Sequence, residues 1–316
     1  MMLDSAGLAL HVDRADADLT RLRTALDRSL KDCPDPRFAT LFINAPHGAD
    51  PGIMAELHSL LVRQDRLAPD AEVTWHGLPL KDVSWKASGV TRRSAACSWK
   101  GYEQTEAVDV GIDDLLKGDI KQRLTGLRER GVAHLGLQSG SGFSLDMVRR
   151  FDAAASAIGY VRYEAANWAQ PGHEAAWLIH ARQGGPIMGV GAGMYGRWPS
   201  AAGWRWWRAA RPDRWRRTVE KGRDGRGRLR LLSPRERAVE RLVDGLRLSC
   251  GIDLAEIEAE AACHRAIWLD EAFLTLLLDR GDLVSVGHHL RVADLNQVDR
   301  LTELLLSHSS HSDARA

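Results

Sequence analysis

The first 143 residues alternate short apolar runs with amphipathic segments, and no other feature restricts the fold as strongly. Residues 8–12 (LALHV), 40–44 (TLFIN), 72–76, 94–98, 108–112 and 134–138 read as six strands. Leu19, Leu22, Leu26 and Leu30 recur at helical spacing between the first two. Pro51 opens a second helix that carries Met54, Leu57, Leu60 and Leu61 on one face. A helix over 115–130 precedes the sixth strand. Strands joined by helical crossovers pair in parallel with the helices packed outside. The fold class is therefore α/β, an open parallel sheet or a partial (β/α) barrel.

The pattern then changes. A helix over 144–158 leads into residues 159–196, read as strand and glycine loop, with Val161, Tyr163 and Ala165 on one face and Arg162 and Glu164 on the other. Residues 197–232 are basic and tryptophan-rich and read as an excursion or linker. In Ser233-Pro234-Arg235-Glu236 a capping box carries proline at the first helical position. Helices follow over 234–249, 252–260 and 269–280. The stretch GDLVSVGHHLRV (281–292) reads as two strands turning at Gly287, before a last helix. This divides the chain into a barrel-like unit (1–196), the basic segment (197–232), a winged-helix-like helical module (233–306) and a disordered polar tail (307–316).

Composition excludes some functions. The 316 residues carry a formal net charge of +1, so no global field draws the chain to nucleic acid or an anionic membrane. Residues 8–12 are too short an apolar run for a signal core or a membrane span, and the expected location is the cytoplasm. The four cysteines, Cys33, Cys97, Cys250 and Cys263, have neither zinc nor iron–sulfur ligand spacing. They read as small buried hydrophobes, without disulfides.

Four blocks in order, AIGYVRYEAANWAQPGHE (157–174), GVGAGMYG (189–196), LSPRERAVERLVDGLRLSCGIDL (232–254) and LLLDRGDLVSVGHHLRV (276–292), resemble the oxygen-independent coproporphyrinogen III oxidase and haem chaperone family of radical SAM proteins. Weaker similarity extends toward the N-terminus. The resemblance implies a shortened radical-SAM-like partial barrel with the helical module appended. It also implies a place, after the first strand, for a CxxxCxxC loop holding a 4Fe–4S cluster. Here that loop is Arg14-Ala15-Asp16-Ala17-Asp18, without a thiolate. The family's S-adenosylmethionine contacts are replaced as well: its glycine-rich turn by Asn44-Ala45-Pro46-His47-Gly48, its acid by His76, its glutamine by Ser98 and its aspartate by Gly111. Neither cluster nor S-adenosylmethionine is expected.

The chaperones' HNxxYW motif falls on Trp177-Leu178-Ile179-His180-Ala181-Arg182 and is lost, whereas the glycines around it persist. Gly189, Gly191 and Gly193 are the candidate cofactor-binding loop, with His180 and Tyr195 as candidate haem ligands. Close backbone packing explains such glycines equally well. The expectation is a non-catalytic relative that binds haem, a porphyrin or a protein of that pathway. The alternative is an enzyme using non-radical chemistry in the remodelled cleft, where His47, His76, Asp113 and Asp114 stand near strand ends.

Residues 197–230 hold twelve Arg and Lys against Asp213, Glu220 and Asp224, with Trp198, Trp204, Trp206, Trp207 and Trp215 among them. Trp204, Trp207, Arg208 and Arg211 follow i, i+3, i+4, i+7 and fit a helix whose tryptophans pack while its arginines face water. The same composition fits a grip on bases or on porphyrin carboxylates. In the helical module Glu256, Glu258, Glu260, Asp270 and Glu271 would repel phosphate, so nucleic acid is not the expected partner.

Overall fold

The computed structural model describes residues 6–12, 19–31, 37–44, 51–77, 92–96, 107–111, 118–138 and 144–309. Six parallel strands run in sequence order: β1 (Ala6–His11), β2 (Phe38–Asn44), β3 (Leu67–His76), β4 (Arg92–Ala96), β5 (Ala107–Gly111) and β6 (His134–Gln138). All six expected strands are present, with bounds shifted by a few residues. Helices α1 (Leu19–Lys31) and α2 (Pro51–Arg63) cover one face of the sheet. Leu22, Ala25, Leu26 and Leu30 of α1 and Leu57, Leu60 and Leu61 of α2 meet Leu8, Leu10, Leu41, Ile43, Val73 and Trp75 in one core. This is the outer face, and its alternation of apolar residues is what the sequence displayed.

Two further helices, α3 (Ile120–Glu129) and α4 (Leu145–Ser156), pack around β5 and β6 in a second core. Asp119 and Ser144 cap them, each accepting from the backbone N–H three residues on. Strand β7 (Val161–Glu164), at the sheet edge, pairs antiparallel with β8 (Asn167–Ala169), and β8 adds antiparallel to β6. The alternation read over 161–165 fails here: Val161 is exposed, whereas Glu164 is fully buried because two arginines neutralise it. Residues 176–182, read as part of a loop, form a helix, α5 (Ala176–Arg182). It leads to β9 (Ile187–Val190), which pairs parallel to β1 on the side away from β2.

The basic tryptophan segment is neither a linker nor, around 204–211, a helix. It forms β10 (Tyr195–Ser200), β11 (Gly203–Ala209), α6 (Pro212–Glu220) and β12 (Arg226–Leu231), and the three strands extend the sheet antiparallel from β9. The sheet order is β12-β11-β10-β9-β1-β2-β3-β4-β5-β6-β8-β7. Trp204 and Trp207 stand an odd number of positions apart on one strand, so they point to opposite faces. Both are buried because both faces are covered there. A strand covered on two sides shows no clean period, which is why i, i+3 spacing mimicked a helix.

The chain ends in α7 (Pro234–Gly245), a two-residue strand β13 (Ile252–Asp253), α8 (Leu254–Ala261), α9 (Glu271–Asp279), the hairpin β14 (Leu283–Val286) and β15 (His289–Val292), and α10 (Val298–Ser309). Ser233 and Glu236 form the expected capping box, and Gly287 turns the hairpin at φ +62°. β13 pairs with β15, and the helices close a third core over this small sheet. No described helix is long and apolar enough to cross a membrane.

Candidate functional site

Register places a second set of side chains on the inner face, opposite α1 and α2. Gly7 pairs with Thr40 and Thr40 with Glu72, Ala9 with Phe42 and Phe42 with Thr74, and His11 with Asn44 and Asn44 with His76. The last row stands at the C-terminal ends of three adjacent parallel strands, where α/β proteins place their ligands. The Asn44 amide lies 3.2 Å from His11 Nδ1. Phe42 stacks between His76 (6.2 Å between centroids) and Trp177 (5.4 Å). His76 is thus where the sequence placed it, at a strand end, and Asn44 was named there only as the start of a replaced cofactor turn, whereas His11 was not singled out. Their signal was a polar residue ending each of two apolar strands.

Helix α5 sits on this face. Its N-cap, Ala175, offers no side-chain cap; Glu72 of β3 accepts from the N–H groups of Ala176 (3.0 Å) and Trp177 (3.1 Å) instead, and also from Thr74 Oγ1. A carboxylate brought in from another strand supplies the negative charge that a helix start favours. His180 projects from α5 toward β1, and its Nε2 lies 2.9 Å from the Pro186 carbonyl, a distance at which the ring nitrogen donates. Burial lowers its pKa, with the Pro186 carbonyl opposing, so the ring is neutral at pH 7. A Cβ on Gly185 would stand 2.2 Å from this ring.

Among the described residues no hydrogen bond or ring contact joins His180 to Tyr195, which is 40% exposed on β10. Burial raises the Tyr195 pKa, so its hydroxyl stays protonated at neutral pH. The glycines serve the backbone. A Cβ on Gly189 would lie 1.9 Å from the Tyr195 carbonyl oxygen, and one on Gly191 2.4 Å from that of His11. Gly193 turns the chain between β9 and β10 at φ +75° with open space around it. Gly189 and Gly191 therefore let β9 approach β10 and the end of β1 closely. His47, Asp113, Asp114, Ser98, Cys33, Cys97 and residues 14–18 lie outside the described residues.

The inner face also holds the junction with the C-terminal helices. Glu164 accepts from the Ala166 N–H (2.7 Å), the Asn167 amide (2.9 Å), Arg182 Nε (3.1 Å) and Arg247 Nε (3.0 Å). Burial pushes its pKa up, but Arg182, these hydrogen bonds and Arg247 outweigh burial and hold the carboxyl below its ordinary range. Arg197, 1% exposed, reaches Asp244 (2.9 Å), Glu240 (3.4 Å) and the carbonyl of Gly185 (2.9 Å). From Glu240 the chain of charges continues through Arg237 to Glu260 of α8 and on to Arg241. The acidic residues of α8 thus answer arginines of α7; nothing in the spacing of either helix announced this.

No family model and no curated protein matches the chain. Among solved structures, the fold is similar to that of coproporphyrinogen III oxidase (HemN) from Escherichia coli, described as a radical SAM enzyme. The two superpose with a TM-score of 0.73 over 97% of this chain and 91% of that one, at 12% sequence identity. That likeness shows the fold. The residues here do not fit the three-thiolate cluster that radical SAM chemistry needs. Residues 13–18, directly after β1, contain no cysteine. Cys250 and Cys263 stand in the C-terminal module, and among the described residues no group of three His, Cys, Asp or Glu side chains is arranged to hold a metal.

Proposed function

We propose that the chain is a non-catalytic protein of this fold, without radical chemistry, that binds haem, a porphyrin or a protein of the haem pathway. One observation carries the first half of the reading: the sequence supplies no cysteine between β1 and α1, and none of its four cysteines stands within twelve residues of another. Three thiolates from a CxxxCxxC loop are therefore out of reach. The tetrapyrrole half rests on the four sequence blocks and on the name of the structural neighbour. His180 is the weaker of the two haem-ligand candidates, because ligation through Nε2 would cost its bond to Pro186.

Two measurements on the purified protein test this. Anaerobic reconstitution with iron and sulfide is expected to leave no cluster after desalting, and titration with haem to give a saturable Soret band. A stable cluster at about one per chain sinks the first half; a haem titration without saturation removes haem itself. A second reading, non-radical chemistry in the cleft, draws on the His11–Asn44–His76 row.

A further inference from the structure

The inner face does not stop at β9. Ile187 pairs with Gly7 on one side and with Arg197 on the other, so Arg197 of β10 belongs to the same face. Cross-strand partners share a face. Arg197 stands opposite Trp206, and Trp206 opposite Arg230; in the neighbouring row Tyr195 stands opposite Arg208, and Arg208 opposite Arg228. Helix α7 covers the first of these rows. The Arg237 guanidinium lies 3.7 Å over the Trp204 ring, Glu240 and Asp244 hold Arg197, and Glu236 pairs with Arg230. In the second row Arg208 and Arg228 are exposed beyond that cover, whereas the Tyr195 phenol, only partly exposed, lies near the junction charges Arg197, Asp244, Arg182 and Glu240.

The charges of this ledge are unbalanced. Arg208 and Arg228 are direct neighbours across an antiparallel ladder, an arrangement that destabilises a sheet when nothing compensates it. Among the described residues neither guanidinium has a carboxylate partner. Beside them lies the half-exposed Trp206 indole, with the Arg230 guanidinium 5.5 Å from its centroid. Two guanidinium forks without a carboxylate among the described residues, and an indole edge on the same face, recognise one chemistry: acid groups carried by a flat ring.

We propose that Arg208 and Arg228, together with Trp206, bind a flat aromatic acid, the carboxylates held by the two arginines and the ring lying against the indole. This rests on the function proposed above only for the choice of one probe. Coproporphyrin III, a flat ring with four carboxylates, and 1-pyrenebutyrate, a flat aromatic acid unrelated to tetrapyrroles, are titrated into the full chain and into the Arg208→Gln/Arg228→Gln variant. Thermal unfolding checks that the variant folds. Binding of both probes, weakened on the order of tenfold or more by the variant and weakened by salt, is the expected result. Pyrenebutyrate binding alone, dependent on the arginines, leaves the site standing and removes the porphyrin reading. Coproporphyrin binding that the variant does not change overturns the site and leaves the porphyrin reading. Inorganic phosphate competing as well as either ring overturns the aromatic part, and no binding of either probe overturns the whole.

Discussion

Two neighbouring regions of the inner face settle their charges in opposite ways. At the junction with the C-terminal helices, Arg182, Arg197, Arg237, Arg241 and Arg247 interleave with Glu164, Glu240, Asp244, Glu260 and Asp299, so that each guanidinium touches a carboxylate. One row along the sheet, Arg208 and Arg228 face each other, and among the described residues neither has one. Apart from the exposed Asp299, the first set is buried or half-buried and can exist only if paired, because an uncompensated buried charge is costly. The second set is exposed, so water screens it and the fold tolerates it. Arginines in the first region are thus tied to architecture, while those in the second remain free to meet an external anion.

The largest effect expected from breaking this comparison comes from the aromatic residues that make both regions possible. Trp207 is 2% exposed, belongs to the core under α1 and α6, and points its indole N–H at the Gly189 carbonyl (3.3 Å). Trp207→Ala should destabilise the protein by about 3–5 kcal/mol, the usual cost of truncating a buried aromatic. Denaturant unfolding measures it. A loss below about 1 kcal/mol would mean that β11 is not a structural strand of the sheet.

Next in size is Glu164, which anchors one end of the charge chain. Glu164→Gln leaves Arg182 and Arg247 facing a neutral amide and should cost about 3–5 kcal/mol at pH 7. The sign with pH follows from its depressed pKa. The unfolded carboxyl titrates near 4.5 and the folded one lower, so the unfolded chain binds more protons in the acid range. The stabilisation is complete above that value and is lost as the pH falls through the folded pKa. The gap between wild type and variant should therefore close on acidification; a constant gap from pH 7 to pH 3 would show that the charge of Glu164 contributes nothing.

What was legible in the sequence divides along similar lines. Helices whose caps and apolar stripes are local, such as α1 with its leucines or α7 with its Ser233–Glu236 box, were found within a few residues of their true bounds. Helix α5 was missed because its cap is Glu72, a hundred residues earlier, so nothing within the segment marks its start. Strands β10 to β12 were missed because β11 buries Trp204 on one face and Trp207 on the other and so shows no alternation. The burial of Glu164 was invisible for the same kind of reason: its two arginines come from residues 182 and 247. The glycines at 189 and 191 leave a ligand loop and close packing both open in the sequence; the backbone atoms that a Cβ there would meet are those of Tyr195 and His11.

The smallest expected effect is the most specific to the unpaired row. Arg205, exposed on the outer face of β11 opposite Leu231, is the control; Arg205→Gln should stay within about ±0.5 kcal/mol. Arg208→Gln removes one of two like charges that face each other, so it should raise stability by about 0.2–1 kcal/mol, the range of a cross-strand pair. Added salt screens that repulsion and should shrink the gain toward zero. Equal behaviour of the two variants at low salt would mean that the guanidiniums turn away from each other into water, and the unbalanced ledge would not exist. A salt-sensitive gain with Arg208→Gln, together with weaker binding of the aromatic acids, would show stability given up locally to hold an anion.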